Sequence, residues 1–398
     1  MRRVVITGAG TVNPLGHNLV QTYDSFRQGR CAIAPLDLPE MDRLSIKIGA
    51  AVKGWQPDFP PALMGLCDRS TLMALSAAAE AVEMAGLRLS KDEALDAGVI
   101  MGTAGGGHMT GEAAYRAVFA EGKNRVHPFT VPRLMNNASA SQIAIAQGLN
   151  GPGLAVSTAC ASSNHAIGLA FQMVALGQAE VMLAGGTEAM LDFGGIKVWE
   201  ALRVLSPVGC FPFAADRTGM VQGEGAAVLV LETRERATAR GATILAEIVG
   251  FGMSTDAADM IVPQADGALR AIGQALRQAG VRPGDVGYVN AHGTGTIAND
   301  TAEAAALNQT FGAFGVPVSS TKSAHGHLIG AAGAVEALAC LMALSQGVIA
   351  PTVGGHPADP TLGLDLVTGK PRPCQIDYCL SNSFAFGGLN AVLCFAKP

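Results

Sequence analysis

The sequence predicts an α/β protein made of two halves, and three observations carry that reading. Short apolar runs of strand length alternate with helical stretches along the whole chain. The alternation starts afresh after a charged stretch, Glu232 to Arg240, which divides the chain into residues 1–240 and 241–398. Finally, the apolar run Leu154 to Val156 meets Ser157-Thr158-Ala159-Cys160, and Ala166, Leu169, Ala170, Met173 and Val174 then recur at helical spacing. A cysteine therefore stands where a buried strand hands over to a helix.

In the first half, Arg3 to Gly8 reads as an opening strand. Gly8-Ala9-Gly10 invites a dinucleotide-binding reading, but Asn13 stands where the third glycine is required, so a tight turn beneath a sheet is preferred. Asp68 suits a cap for a helix carrying Leu72, Leu75, Ala79, Val82 and Met84 up to Gly86. Ala97 to Gly102, Val181 to Gly186 and Ala226 to Leu231 read as strands, with a helix near Ile196 to Leu202. Gly102 to Gly107 is glycine-rich, yet no phosphate loop follows, which removes kinase and nucleotidase readings.

The second half predicts strands at Ile244 to Val249, Val286 to Asn290, Val316 to Ser319, Ile376 to Leu380 and Ala391 to Phe395. Helices are expected over Gly267 to Ala279, Asp300 to Phe311 and Ile329 to Leu344.

With 398 residues and 49% hydrophobic content, the chain can bury a large core, and disorder is excluded. A net charge of -5 without any basic run gives no footprint for nucleic acid, although an acidic carrier could dock on a local basic patch. The eight cysteines form no Cys-x-x-Cys pair and no signal peptide follows Met1-Arg2-Arg3, so they read as reduced thiols of a cytoplasmic protein. No Asp, Glu, Lys or Arg occurs from Leu134 to Ala179, but Asn136, Asn137, Gln142, Asn150 and Pro152 interrupt the stretch. It reads as deeply buried core and not as a membrane span. The apolar run Ala337 to Ala350 is likewise short for a span and suits a core helix.

Chemistry concentrates at three strand ends. Cys160 is the first; unpaired N–H groups and the helix dipole favour an anion there, and the thiolate is the reactive form. His292 ends the strand Val286 to Asn290 within N-A-H-G-T-G-T, and His325 and His327 follow Lys322 within S-S-T-K-S-A-H-G-H-L. Zinc accepts sulfur and nitrogen ligands, so Cys160, His292, His325 and His327 also form a candidate metal set, opposed by the neighbouring lysine. A serine hydrolase is disfavoured because G-x-S-x-G is absent.

Together, R-V-V-I-T-G-A-G, T-A-C-A-S-S, P-F-A-A-D-R-T-G-M-V-Q-G-E-G-A, N-A-H-G-T-G-T, S-S-T-K-S-A-H-G-H-L-I-G-A-A-G-A-V-E and N-S-F-A-F-G-G-L-N span nearly the whole chain. Through them the sequence resembles the β-ketoacyl-acyl carrier protein synthases, most closely synthase II. The resemblance implies a thiolase-like fold, two similar α/β halves packed as αβαβα layers, and usually a homodimer. It implies decarboxylative condensation of an acyl thioester with malonyl-acyl carrier protein, without metal or organic cofactor. Cys160 matches the acyl-accepting nucleophile, His292 and His327 the catalytic pair, and Lys322 the lysine beside them. Phe386 matches the residue whose backbone N–H completes an oxyanion hole with that of Cys160 and whose ring gates the acyl pocket. Thr294 and Thr296 match positions lining the phosphopantetheine tunnel.

Four positions depart from the usual synthase II pattern: Gly295 replaces a common Ser, His325 a Thr, Ala385 a Gly and Leu389 a Thr. Ala385 is expected to stiffen the gating loop. A-C-A-S-S-N-H-A-I and W-E-A-L-R-V-L also resemble nodulation-type ketosynthases, which make specialised unsaturated acyl chains. His165 lies off the face of Cys160 and is expected to be structural. A biosynthetic thiolase would need a second cysteine in the closing glycine loop, and a noncatalytic chain-length subunit would lack Cys160. An active chain could still pair with such a subunit as a heterodimer.

Overall fold

Eleven strands form one hydrogen-bonded sheet in this computed structural model, which describes residues 1–398. In chain order they are β1 (Val4–Val12), β2 (Ala97–Gly102), β3 (Gly153–Val156), β4 (Val181–Glu188), β5 (Gly225–Thr233), β6 (Ala246–Thr255), β7 (Val286–Asn290), β8 (Pro317–Ser319), β9 (Asp365–Leu366), β10 (Tyr378–Ala385) and β11 (Leu389–Ala396). Their order across the sheet is β9-β8-β7-β10-β11-β6-β1-β5-β4-β2-β3.

Two groups of strands, β1 to β5 and β6 to β11, are joined narrowly: β1 meets β6 only from Val4 opposite Ile248 to Ile6 opposite Ala246. Each group repeats one plan. In the first, β3, β2 and β4 are parallel, and β5 and β1 follow antiparallel. In the second, β8, β7 and β10 are parallel, and β11 and β6 follow antiparallel. Strand by strand, β1 corresponds to β6, β5 to β11, β4 to β10, β2 to β7 and β3 to β8, a duplication that leaves no short-period repeat in the sequence.

Six helices complete the layers: α1 (Arg69–Ala85), α2 (Ser162–Ala175), α3 (Phe193–Ala201), α4 (Ala265–Ala279), α5 (Ile297–Phe311) and α6 (Ala332–Gln346). α1 packs outside β1 and β5, and α4 outside β6 and β11. α2 and α6 touch strands of both groups and each other, so they form the middle layer. The αβαβα order follows.

Close approach explains the glycines of β1. A Cβ at Gly8 or Gly10 would lie 2.1 Å from a carbonyl oxygen of α1, Ala81 or Ala77. Gly250 and Gly252 of β6 meet α4 in the same way, with Ala275 O and Ala271 O at 2.2 and 2.0 Å. Gly8-Ala9-Gly10 is therefore neither a phosphate loop nor the expected turn but strand backbone against which a helix rests. Asp68 does cap α1, accepting from Ser70 N–H, and Gly86 closes it in the left-handed region at φ 58.

Residues 332–344 of α6 are all buried, which accounts for an 18-residue window of mean hydropathy 1.5 that lies 89% inside the protein. One segment differs from expectation. β3 is one of the two edge strands, Leu154 is 44% exposed and Ile145 73% exposed, so the uncharged stretch 134–179 is only partly core. The strand edge and its neighbours form apolar surface on the single chain.

Candidate active site

Cys160 is held by a tight turn between β3 and α2. Ser162 Oγ accepts from Thr158 N–H at 2.9 Å and donates to the Ala159 carbonyl at 2.7 Å. Ala159 itself has φ 47, a left-handed conformation that a non-glycine residue adopts at a cost and that clusters at functional sites. The thiol is buried, one residue before the Ala161 cap of α2. Burial pushes it up to about 12, with the Lys322 charge acting in the opposite direction. The expected helix-start thiolate is thus not the resting state, and a proton acceptor must lie close by.

Two imidazoles do. The ligating atoms of Cys160, His292 and His327 all lie within 4.8 Å of one another, and the two rings meet edge to face at 5.3 Å. Burial first, and then the Lys322 charge, hold both histidines well below their ordinary value, so both are neutral. His327 Nδ1 accepts Ile329 N–H at 3.1 Å. A neutral ring accepting at Nδ1 carries its proton on Nε2, which has no partner within the protein. His327 therefore presents a free N–H donor.

Lys322 starts the short helix Lys322–His325 and pairs with Glu336 of α6, both fully buried. Burial raises Glu336 above the usual carboxylate range and Lys322 opposes it. His325 lies outside the Cys160, His292 and His327 cluster: its ring stands edge-on to Phe26 and bonds Thr321 and Gly326 O. His165 is also apart, bonded to Thr158 Oγ1 and Ala161 O and edge-on to Phe251.

A pocket opens onto the trio, lined by Cys160, His292, His327, Thr294, Thr296, Phe384 and Phe386 and bordered by Ile261, Val262 and Pro263. Thr294 and Thr296 bond to each other through their hydroxyls at 2.8 Å, and Thr296 caps α5. Gly295 between them has φ 81, a value that favours glycine over the Ser common at this position. Phe386 stacks on Trp199 of α3, centroids 5.9 Å apart. The backbone of the closing loop, Phe384 to Gly388, differs from expectation: Ala385 is ordinary extended backbone (φ -106, ψ 158), whereas Gly387 and Gly388 carry φ 81 and 67. Conformational freedom resides in the two glycines, and the alanine methyl is buried packing.

Three buried carboxylates were not singled out from the sequence. Glu303 accepts His292 N–H and Gly293 N–H at 2.8 and 2.7 Å and Asn382 Nδ2–H at 3.1 Å, fixing the histidine loop. Asp300 accepts Thr294 N–H and Gly295 N–H at 3.0 and 3.2 Å, fixing the threonine turn. Glu188, at the end of β4, accepts Ala104 N–H and Gly330 N–H at 2.8 and 3.0 Å. Burial pushes Glu303 to about 7 and Asp300 to about 6.

Cys160, His292 and His327 have a spacing from which a metal site could be built. The chemistry disfavours it. His327 Nδ1 already accepts a hydrogen bond, so metal binding at Nε2 would require displacing its proton, and the Lys322 charge opposes a cation.

A duplicated five-strand unit with helices between the halves, and a buried cysteine facing two neutral histidines, define a thiolase-fold condensing enzyme. The β-ketoacyl synthase N-terminal domain matches residues 1–237 and the β-ketoacyl synthase C-terminal domain residues 245–356, and the chain belongs to the β-ketoacyl synthase family. It is 46% identical over its full length to nodulation protein E of Rhizobium leguminosarum bv. trifolii, covering 99% of that protein. It is 39% identical, again over its full length, to 3-oxoacyl-[acyl-carrier-protein] synthase 2 of Staphylococcus aureus (strain COL), covering 98% of it. Among solved structures it matches the ishigamide ketosynthase/chain length factor with TM-score 0.93 and 32% identity, covering 100% of this chain and 99% of that one. The activity is that of an acyltransferase making 3-oxoacyl thioesters by decarboxylative condensation.

Proposed function

We propose that this chain transfers an acyl group from acyl carrier protein to Cys160 and condenses it with malonyl-acyl carrier protein, releasing CO2 and 3-oxoacyl-acyl carrier protein. The carrying observation is the free Nε2–H of neutral His327, 5.3 Å ring to ring from His292 and clustered with the Cys160 sulfur. In the first half-reaction the Cys160 proton leaves, sulfur bonds to the acyl carbon, and the carrier thiol departs with a proton. Backbone N–H groups of Cys160 and Phe386 serve the tetrahedral oxyanion, and Phe386 leaves the Trp199 stack as the chain enters. In the second, malonyl loses CO2; the electron pair left behind forms an enolate whose oxygen is held by the imidazoles, His327 donating through Nε2. The enolate carbon attacks the acyl carbon, and the Cys160 sulfur leaves. Burial keeps both rings neutral and the Lys322 charge reinforces it, and Thr294 and Thr296 line the path of the pantetheine arm.

The identity to nodulation protein E supports a specialised acyl chain as the product, with general fatty-acid elongation as the alternative. Intact-mass measurement with acyl carrier proteins of different chain length and unsaturation decides between them. Selective modification of Cys160 by unsaturated chains supports the specialised role; equal modification by ordinary saturated chains refutes it. In either case Cys160→Ala takes up no acyl group.

The open β3 edge with exposed Ile145 and Leu154 supports a second ketosynthase subunit pairing there, a copy of this chain in the simplest case. The ketosynthase/chain length factor neighbour makes a heterodimer the second reading. Residues 1–240 and 241–398 are read as the two halves of this chain, and eight free thiols fit a cytoplasmic setting.

A further inference from the structure

We propose that His325 is a positioning residue for His327, acting through the single peptide bond that joins Gly326 to His327; this rests on the donor role assigned above to His327.

His325 is fully buried and neutral in a place where no solvent can satisfy it. Its Nδ1 lies 2.8 Å from the Gly326 carbonyl, which can only accept, so the proton is on Nδ1. Nε2 is then an acceptor, and Thr321 Oγ1 donates to it at 3.0 Å. Thr321 is held in turn by Asn290 Nδ2–H at 3.4 Å, and Asn290 by the Tyr288 hydroxyl at 3.1 Å. The ring is fixed from both ends, with Phe26 in edge-type contact at 6.4 Å between centroids.

The consequence lies on the other side of the peptide plane. His327 N–H donates to Val221 O at 2.6 Å while the His327 carbonyl accepts Gly223 N–H at 2.9 Å. His325 thus grips the carbonyl of the Gly326–His327 peptide, and the 221–223 segment grips its N–H. Gly326 has φ 70 and, being glycine, a soft backbone, so the two grips hold the orientation of that peptide plane. Rotation of that plane would move the His327 ring and break the Ile329 N–H bond that keeps the proton on Nε2. Removing the His325 donor also leaves a buried carbonyl unsatisfied, which drives such a rotation.

The test compares His325→Ala, His325→Asn and His325→Gln in the full enzyme, measuring acylation of Cys160 and malonyl-acyl carrier protein decarboxylation separately. Asn keeps a donor near the Nδ1 position, whereas Gln carries its amide out toward the Nε2 position. Decarboxylation kcat should fall about tenfold or more in the Ala and Gln variants, as ångström-scale misplacement of a reacting group does. It should stay near the parent value in Asn, with KM and Cys160 acylation unchanged in all three. Equal behaviour of Asn and Gln, or parallel losses in both half-reactions, overturns the proposal, and the Asn and Gln contrast stands even if the Ala variant fails to fold. His327→Ala, measured alongside, separates the two claims: full decarboxylation there refutes the role of His327 itself.

Discussion

Breaking the Lys322 and Glu336 pair should be among the most damaging single changes outside the reacting groups. Both side chains have no solvent exposure; Lys322 meets Glu336 Oε1, and Oε2 has no hydrogen-bond partner. In Glu336→Gln the lysine keeps its charge with only a neutral oxygen beside it. Leaving one member of a buried pair uncompensated costs about 3–5 kcal/mol, which lowers the ratio of folded to unfolded protein by roughly two to four powers of ten. Replacing both by apolar residues, Lys322→Met with Glu336→Leu, removes both desolvation costs and should restore much of the stability. Urea unfolding of Lys322→Met, Glu336→Leu and the double variant gives the coupling energy directly. A loss under about 1 kcal/mol in Glu336→Gln, or a double variant no better than the singles, would refute the view that the pair is a desolvated unit.

Glu303 makes stability depend on pH in a definite direction. Burial holds its folded-state value near 7, above the ordinary 4.5, so its contribution is complete below about 4.5 and is lost as pH rises through 7. Glu303→Gln should flatten that decline, and an unchanged slope in urea midpoint against pH would contradict the assignment. Ile145→Asp and Leu154→Asp should lower the oligomeric state seen by analytical ultracentrifugation if the β3 edge is the subunit contact; an oligomeric state unchanged from the parent would contradict that contact. Ala385→Gly should change acylation by short and long donors by the same factor. Gly388→Ala should slow both sharply, because its φ is 67 and a Cβ would lie 2.5 Å from that of Asp256. A selective gain for long donors in Ala385→Gly would restore the idea of a stiffened gate.

Much of the site was legible because its groups lie at strand ends that local pattern reveals. The run Leu154 to Val156, the turn to Cys160 and the helical spacing after it are all local features, and so are the Asp68 cap and the strand Ala97–Gly102. The resemblance supplied the roles, which no periodicity carries. Glu303, Asp300 and Glu188 escaped notice because a lone acidic residue has no pattern; their importance arises from backbone groups brought to them by the fold. Glu336 did leave a signal: a single carboxylate inside the apolar stretch 329–346 requires a buried partner. Ile145 and Leu154 were read as core because surface awaiting a partner is as apolar as surface already covered. Gly8 and Gly10 read as a turn because sequence does not show that a helix rests on them.

The central claim is a division of labour between Cys160 and the two imidazoles. Single-turnover mass measurement of the His292→Ala and His327→Ala enzymes, given acyl- and malonyl-acyl carrier protein together, tests it most directly. The account predicts that acyl-Cys160 accumulates while CO2 and 3-oxoacyl product do not form. Normal product formation in both variants, or an acyl group on any residue other than Cys160, would contradict it.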